Sequence, residues 1–441
     1  MASISPARKA AFAILTAIEN GQSHSDDLLR GKRVAALSPA DRNLATALVL
    51  GTLRWQIPLD QQIKPLFKHP NAKLDSEVLI ALRLGAYQLV HLDRIPARAA
   101  IDESVELTKQ AGHRFASGMV NAVLRKLAEA QKGSGELPAA QAYPMWMVER
   151  WVSFYGSDGA NAICRYGQVQ PSRAVRIESP EVEAELAAQG VRLEAGELLT
   201  AARTVVYGDI SGTAAFREGR VRIQDEGSQL VAELVPRGHR ILDSCAAPGG
   251  KTLILAERNP NARVVACEAS ASRLAQLQKR VAQFGERVEC RLADATTPGD
   301  ESVYDTVLAD VPCTGTGTLG RNPEIRHRLS LEELPRQAER QRRILRAAVR
   351  ALRTGGHIVY STCSLEPEEN EQVVNAVLAE NAGLRQVSIE PRIKELGADR
   401  IITAAAAELL QSCITPQGRL RLTPGTFHTD GFFVALIEKT T

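Results

Sequence analysis

The stretch Arg240-Ile-Leu-Asp-Ser-Cys-Ala-Ala-Pro-Gly-Gly-Lys-Thr252 decides the fold. Arg240 to Asp243 is a short apolar run suited to a buried strand. Gly249 and Gly250 in the next turn let a backbone approach a ligand closely. A helix then opens at Lys251 and Thr252, and its first amides have no partner inside the helix. Such an N-terminus suits a negative or polar group. Strand-like runs follow at Arg263 to Glu268, Val288 to Leu292, Tyr304 to Ala309 and His357 to Tyr360. Amphipathic stretches, notably Ser270 to Phe284 and Gln337 to Leu352, separate most of them. The alternation predicts a doubly wound, mainly parallel α/β sheet, whose ligands bind at the carboxyl ends of the strands.

Two cofactor readings of the loop compete. Gly-Gly-Lys-Thr resembles the end of a phosphate-binding P-loop, but that motif requires a glycine where Cys245 stands, and Pro248 interrupts the loop. A nucleoside loop suits the acids better. Glu268 ends the second strand, about 20 residues past the loop, where a carboxylate takes ribose hydroxyls. Asp294 ends the third strand, in reach of an adenine amino group, and Asp310 ends the fourth. Any one such acid alone reads equally well as a helix cap or a solvated side chain; a series at successive strand ends does not.

The chain has 441 residues, too many for one ordinary core. Residues 1–135 read as a helical bundle, from the shared faces Phe12/Leu15/Ile18, Leu44/Leu48/Gly51/Trp55, Leu82/Ala86/Leu89, Ile101/Val105 and Val120/Val123/Leu124/Leu127. The stretch Glu129 to Pro144, with Lys132-Gly-Ser-Gly-Glu136 and Pro138, reads as a linker. Residues 145–235, with a helix over Met147 to Tyr166 and strands at Ala174 to Ile177 and Thr204 to Tyr207, read as a small α+β subdomain. Residues 236–441 carry the α/β sheet. Charged residues make up 24% and net charge is +3, which permits a nucleic-acid partner without demanding one. The seven cysteines form no C-x-x-C pair, so neither a metal site nor a disulfide framework is expected. Reduced thiols and the lack of a signal-peptide core or apolar span predict a cytoplasmic protein, not a membrane one.

Two of the thiols lie in unusual settings: Asp310-Val-Pro-Cys313 and Ser361-Thr-Cys-Ser364, each after a strand-like run. With the loop, Thr314-Gly-Thr-Gly-Thr-Leu-Gly-Arg-Asn-Pro-Glu324 and Tyr360-Ser-Thr-Cys-Ser-Leu-Glu-Pro-Glu-Glu-Asn-Glu371, they resemble the RNA cytosine-5 methyltransferases. Gln224-Asp-Glu-Gly-Ser228 and Thr429-Asp-Gly-Phe-Phe433 extend the resemblance over roughly residues 220–438. The helical part resembles the NusB-like RNA-binding domain, a pairing similar to the bacterial RsmB (Sun/Fmu) branch of that family. Glu268 stands where the family usually has Asp, and Val311 where it usually has Ala; neither removes a functional group.

The resemblance implies a Rossmann-like class I methyltransferase domain and S-adenosylmethionine as cofactor. It implies a covalent reaction at carbon 6 of a cytosine, with methyl transfer to carbon 5. Cys363 is then the nucleophile, Cys313 resolves the adduct, and Asp310 meets the cytosine edge. The cofactor lies against Cys245, Ala246, Ala247, Pro248, Gly249, Gly250, Lys251, Glu268, Asp294 and Asp310. Chemistry alone does not choose between the thiols, and a free cysteine is often a small buried apolar residue. Cys164, Cys267, Cys290 and Cys413 read as packing. The expected partner is RNA, 16S ribosomal RNA or a small-subunit precursor, bound by a monomer, with the target base unstacked. Arg321 and Arg326 are the expected phosphate contacts; the later arginines, 336 to 353, read equally as a solvated helix face. Aromatic residues are only 4%, too few for an extended stacking platform. The same chemistry on transfer or large-subunit RNA, or a non-catalytic RNA-binding assembly factor, are the alternatives.

Overall fold

The structure is a computed structural model describing residues 4–21, 24–69, 73–130, 138–297 and 299–441. The linker motif at 132–136 lies outside the described residues. The chain divides into two compact units, one of residues 1–170 with 319–328, the other of 171–318 with 329–441.

The first unit is helical. Its helices include Pro6–Glu19, Pro39–Arg54, Ser76–His91, Ala97–Gln110, Ser117–Ala130 and Met145–Tyr166. Helix Pro39–Arg54 is capped by Ser38, which accepts a hydrogen bond from the Asp41 amide at 3.1 Å. Leu48, Leu82, Leu84 and Leu124 are fully buried. Gly51 is needed for packing, because a Cβ there would stand 1.9 Å from the Tyr87 ring. Two boundaries differ from the sequence reading. Met145–Tyr166, expected in the small subdomain, groups with the helical unit, as does the returning segment 319–328. Arg326 joins these segments: it lies 3.9 Å from the Tyr143 ring centre and donates to the carbonyls of Arg54 and Gly167.

The second unit holds two sheets. In the smaller, β1 (Arg173–Ile177), β2 (Arg192–Ala195), β3 (Ala202–Tyr207) and β4 (Val221–Ile223) are antiparallel in the order β2-β3-β1-β4. Helix Pro180–Ala188 covers one face through Val182 and Leu186, against Val175, Ile177 and Val221. The following helix, Glu226–Leu234, buries Leu230, Val231 and Leu234 in the core of the larger sheet, so the α/β layer begins before residue 236.

The larger sheet contains β5 (Arg240–Asp243), β6 (Arg263–Glu268), β7 (Val288–Leu292), β8 (Tyr304–Asp310), β9 (Leu352–Thr362), β10 (Leu384–Val387), β11 (Leu420–Leu422) and β12 (Phe432–Lys439). Its order is β10-β12-β9-β8-β5-β6-β7, with β11 paired to β12. Strands β5 to β9 are mutually parallel, while β12 runs antiparallel to β9 and to β10. Successive residues bury on opposite sides: Ile241, Val264, Leu308 and Val359 on one, Leu242, Val265, Val307 and Ile358 on the other. Helices lie over both faces, which explains the near-continuous apolar runs in the sequence. Each such side chain, fully buried, contributes about 1.5–3 kcal/mol.

Candidate active site

The predicted cofactor loop lies at the end of β5. The Ala246 amide donates to the Cys267 carbonyl of β6 at 2.8 Å, and the Ser244 amide to the Leu308 carbonyl of β8 at 3.0 Å, so the loop is pinned across the sheet. Gly249 has φ +101°, the left-handed region, and a Cβ there would meet Leu277 at 2.8 Å. Helix Gly250–Arg258 starts directly after it. A cleft is lined by Ile223, Gln224, Ser228, Asp243, Cys245, Gly250, Lys251 and Asp310, among others. Its floor holds a polar group awaiting a partner. Asp243 accepts from Thr252 Oγ1 at 2.7 Å through one oxygen, and Oδ1, the other, is buried with no hydrogen bond. Burial, aided by nearby Asp310 and opposed by the Thr252 bond, pushes the Asp243 carboxyl up to about 7.

Glu268 and Asp294 follow at the ends of β6 and β7. Glu268 is buried; its Oε1 accepts the Ser270 amide at 2.9 Å, and Arg273 stands 3.6 Å from Oε2. Arg273 also donates to the Ala247 carbonyl at 2.8 Å, linking this acid to the loop. Asp294 is exposed and accepts the Thr296 amide at 2.9 Å; that bond holds its carboxyl below the ordinary value. The glycine cradle, the unpartnered Asp243 oxygen and two carboxylates at adjacent strand ends fit a nucleoside cofactor.

The two thiols, 50 residues apart in sequence, meet because β8 and β9 are parallel neighbours, with Asp310 opposite Ser361. Cys313 Sγ and Cys363 Sγ are 3.4 Å apart. Asp310 is bound on both oxygens: Lys251 Nζ donates to Oδ2 at 2.6 Å and Ser361 Oγ to Oδ1 at 2.6 Å. Burial pulls the Lys251 ammonium down, but Asp310 and the nearby Cys363 outweigh it and hold the group above its ordinary value. Lys251 therefore stays cationic beside Asp310 and Cys363. The hydrogen bond with Cys363, together with burial, pushes Cys313 well above the ordinary thiol value. Burial also raises Cys164, Cys267, Cys290 and Cys413, as suits packing thiols, and Cys245 in the wall of the cleft.

Sequence reasoning missed the group that joins the thiol-bearing loops. Glu369 is fully buried. Its Oε1 accepts the Thr314 amide at 2.9 Å and Gln341 Nε2 at 2.8 Å, and its Oε2 accepts the Thr314 and Ser364 hydroxyls. Gln341 Nε2 also donates to the Pro312 carbonyl at 3.0 Å. Thr314 follows Cys313 and Ser364 follows Cys363, so one carboxylate holds the residue after each thiol. The acid run 366–371 was visible, but which of its acids turns inward was not. The two weaker motifs also converge here: the Gly431 amide donates to the Gly317 carbonyl at 2.9 Å, and the Asp430 amide to Asp225 at 3.3 Å.

Arg326 does not do what its sequence context suggested. Only 1% exposed, it directs its guanidinium at the carbonyls of Arg54, Ala142, Gly167 and Leu319, between 3.1 and 3.4 Å. A side chain so enclosed is a packing device of the helical unit and is not presented to phosphate. Neighbouring His327 bonds the Leu53 carbonyl at 2.8 Å, and burial pulls it down to about 4. Arg321, in the same returning segment, is half-buried and lies near Asp26. Arg336, Arg342 and Arg346 pair with Glu333, Glu339 and Glu380, as ordinary surface arginines do. Among the described residues no cluster of metal-ligating side chains occurs, and no helix is long and apolar enough to cross a membrane.

A helix-flanked parallel sheet with a reversed β12, a glycine cradle after β5 and acids at the next strand ends define an S-adenosylmethionine-dependent methyltransferase. Residues 232–438 match the model of the 16S rRNA methyltransferase RsmB/F family, and residues 5–129 match the NusB family. The chain is 33% identical to the probable ribosomal RNA small subunit methyltransferase B of Bacillus subtilis, covering 98% of each chain. It is 31% identical to the ribosomal RNA small subunit methyltransferase B of Pseudomonas putida, again over 98% of each. The chain belongs to this ribosomal RNA small subunit methyltransferase B family. The crystal structure of PH0851 is similar throughout, with TM-score 0.80, 26% identity and coverage of 99% of this chain and 100% of that one. The structure of NSun6 from Pyrococcus horikoshii with SFG shares the fold, with TM-score 0.57 and 20% identity, covering 68% of this chain and 100% of that one.

Proposed function

We propose that the protein methylates carbon 5 of a cytosine in 16S ribosomal RNA through a covalent adduct between Cys363 and carbon 6. The observation that carries this reading is the pair of thiols 3.4 Å apart near the Asp310–Lys251 ion pair, whose two members line the cleft. The relatives named for small-subunit ribosomal RNA support the choice of RNA. Carbon 5 of cytosine is a poor nucleophile. Addition of the Cys363 thiolate to carbon 6 makes carbon 5 enamine-like and splits one hard step into easier ones. Lys251 stabilises that thiolate. Asp310, at the cytosine edge near ring nitrogen 3, stabilises charge that develops as the thiolate adds. Bound S-adenosylmethionine supplies the methyl group, with Glu268 holding its ribose, Asp294 its adenine and the loop 245–251 enclosing it. The carbon 5 proton then leaves and carbon 6 releases Cys363, with Cys313 assisting resolution. The helical unit, with Arg321, helps hold the RNA.

The test is a trap. In RNA carrying 5-fluorocytosine the fluorine cannot leave as a proton does, so the adduct persists. Wild-type protein should form it with cofactor present, and Cys363→Ala should form none and turn over no substrate. Normal trapping by Cys363→Ala would show that the nucleophile is misassigned.

A further inference from the structure

Helix Glu333–Ala351 carries arginines of two kinds, and the reaction above uses neither. Arg342 and Arg346 lie on the flank towards helix Glu371–Glu380. Arg346 pairs with Glu380 at 2.7 Å, and Glu339 pairs with both arginines. Arg336, Arg340 and Arg343 form a row on the other flank, at i, i+4 and i+7. Glu333 pairs with Arg336 at 2.7 Å. Arg340 and Arg343 are exposed, and among the described residues neither has an acid partner. Arg343 gives one of its five N–H donors to Thr296 Oγ1 at 3.2 Å, and no hydrogen bond holds Arg340. Like charges at this spacing repel and weaken a helix, so local stability does not explain the row. Arg350, the last arginine of the helix, stands at its far end, where β9 begins.

The row is fixed beside the site. Gln341, one residue on from Arg340, donates to the Pro312 carbonyl at 3.0 Å and to Glu369 at 2.8 Å, which ties the helix to the thiol-bearing loops. Thr296, the acceptor of Arg343, donates its amide to Asp294 at the end of β7. The same helix therefore meets the Cys313 loop and the strand end at Asp294. The Arg340 charge also acts on the cleft. Burial dominates at Cys245, in the cleft wall, and the Thr296 amide dominates at Asp294; Arg340 acts to lower both groups. Two guanidinium groups without acids, on Cβ atoms about 5–6 Å apart, suit phosphates, which accept guanidinium donors in pairs. S-adenosylmethionine carries no phosphate, so the phosphates that reach this flank are those of RNA. We propose that Arg340 and Arg343 clamp successive phosphates of the RNA strand next to the target cytosine, so that the backbone passes over this helix while the base turns in towards Cys363. This rests on the RNA-methylating reading above. It gives the catalytic unit its own hold on the substrate strand, separate from that of the helical unit.

The test uses the full chain and a transcript of 16S ribosomal RNA as probe, with affinity read by filter binding at several salt concentrations alongside methylation rates. Arg340→Ala with Arg343→Ala should reduce the slope of log affinity against log salt by about 1.4, some 0.7 per lost contact on a single strand. KM for the transcript should rise, while kcat and the calorimetric affinity for cofactor stay as in wild type. Arg340→Lys with Arg343→Lys, which keeps both charges, should keep most of the slope. Arg336→Ala with Arg342→Ala, which removes two acid-paired arginines, should change the slope by less than one contact. An unchanged slope in the first alanine pair overturns the clamp. An equal fall in the acid-paired control also overturns it, because the effect would then be one of diffuse charge. Lost cofactor affinity with the slope intact overturns it too, and assigns the two side chains to the adenosine. The two readings fail separately: a wild-type protein that binds the transcript through these residues yet methylates no cytosine sinks the proposed reaction and leaves the clamp standing.

Discussion

Replacing Glu369 with alanine tests whether one buried carboxylate holds the two thiol loops in register. Four donors point at it. The Thr314 and Ser364 hydroxyls can rotate towards other acceptors, so their loss costs little. The Thr314 amide and the Gln341 amide proton cannot turn round. Each buried donor left without a partner costs about 1–3 kcal/mol, so the expected local cost is about 2–6 kcal/mol. Glu369→Gln should be far milder. An amide oxygen in place of Oε1 still accepts from Thr314 and Gln341, and an amide nitrogen in place of Oε2 donates to hydroxyls that are free to accept. Hydrogen exchange over residues 312–318 and 361–370 in the full chain reads the local opening energy, and the 5-fluorocytosine trap reads the chemistry. Alanine should raise exchange in both segments together and slow adduct formation, and glutamine should restore most of each. If the alanine variant exchanges within 1 kcal/mol of wild type in both segments and traps RNA at the normal rate, the carboxylate does not set the spacing of Cys313 and Cys363.

Glu268→Ala and Asp294→Ala should each weaken S-adenosylmethionine binding by roughly tenfold to a hundredfold, the effect of one lost charged hydrogen bond of about 1.5–3 kcal/mol, with RNA affinity nearly intact. Unchanged calorimetric titrations in both variants would remove the strand-end acids from the cofactor site. Arg326→Ala should lower the stability of the helical unit by at least about 2 kcal/mol, because buried carbonyls lose their donor; a variant that melts normally but loses RNA affinity would reinstate the surface role. Asp243 carries a pH signature. Its folded pKa of about 7 lies above the ordinary value of about 4, so its stabilising contribution is complete below about pH 4 and is lost as pH rises through 7. Asp243→Asn should flatten that part of the profile of cofactor-free protein, and an unaltered slope in thermal melts between pH 4 and 7 would show that Asp243 is not the group responsible.

Much of this protein is legible in its sequence because the α/β layer is built from local signals. Buried parallel strands require continuous apolar runs, so β5 to β8 were found within a residue or so, and the glycine turn marked the carboxyl end of β5 before any coordinate. The thiol motifs were legible because their residues sit at strand ends, which parallel topology brings to one edge. Strand β9 is longer than its sequence signal, which caught only His357 to Tyr360. Strand β12 shows in the sequence only as an apolar run, which does not say which strand it will pair with, or in which direction.

Partners distant in sequence were the part that tertiary structure alone decided. Arg326 and Arg321 look alike in the sequence, two cations downstream of a reactive thiol. Only packing shows that Arg326 is enclosed by carbonyls from four separate segments, while Arg321 is half-buried. Glu369 belongs to a run of acids, and it is buried because Thr314 and Gln341, from two other stretches of chain, converge on it with Ser364 of its own motif. Periodicity and turn chemistry act over a few residues, so they specify what each segment is and which way its side chains face. Desolvation, charge pairing and hydrogen-bond satisfaction depend on which segments meet, and those terms decide whether an ionisable side chain is a scaffold, a contact or part of the reaction.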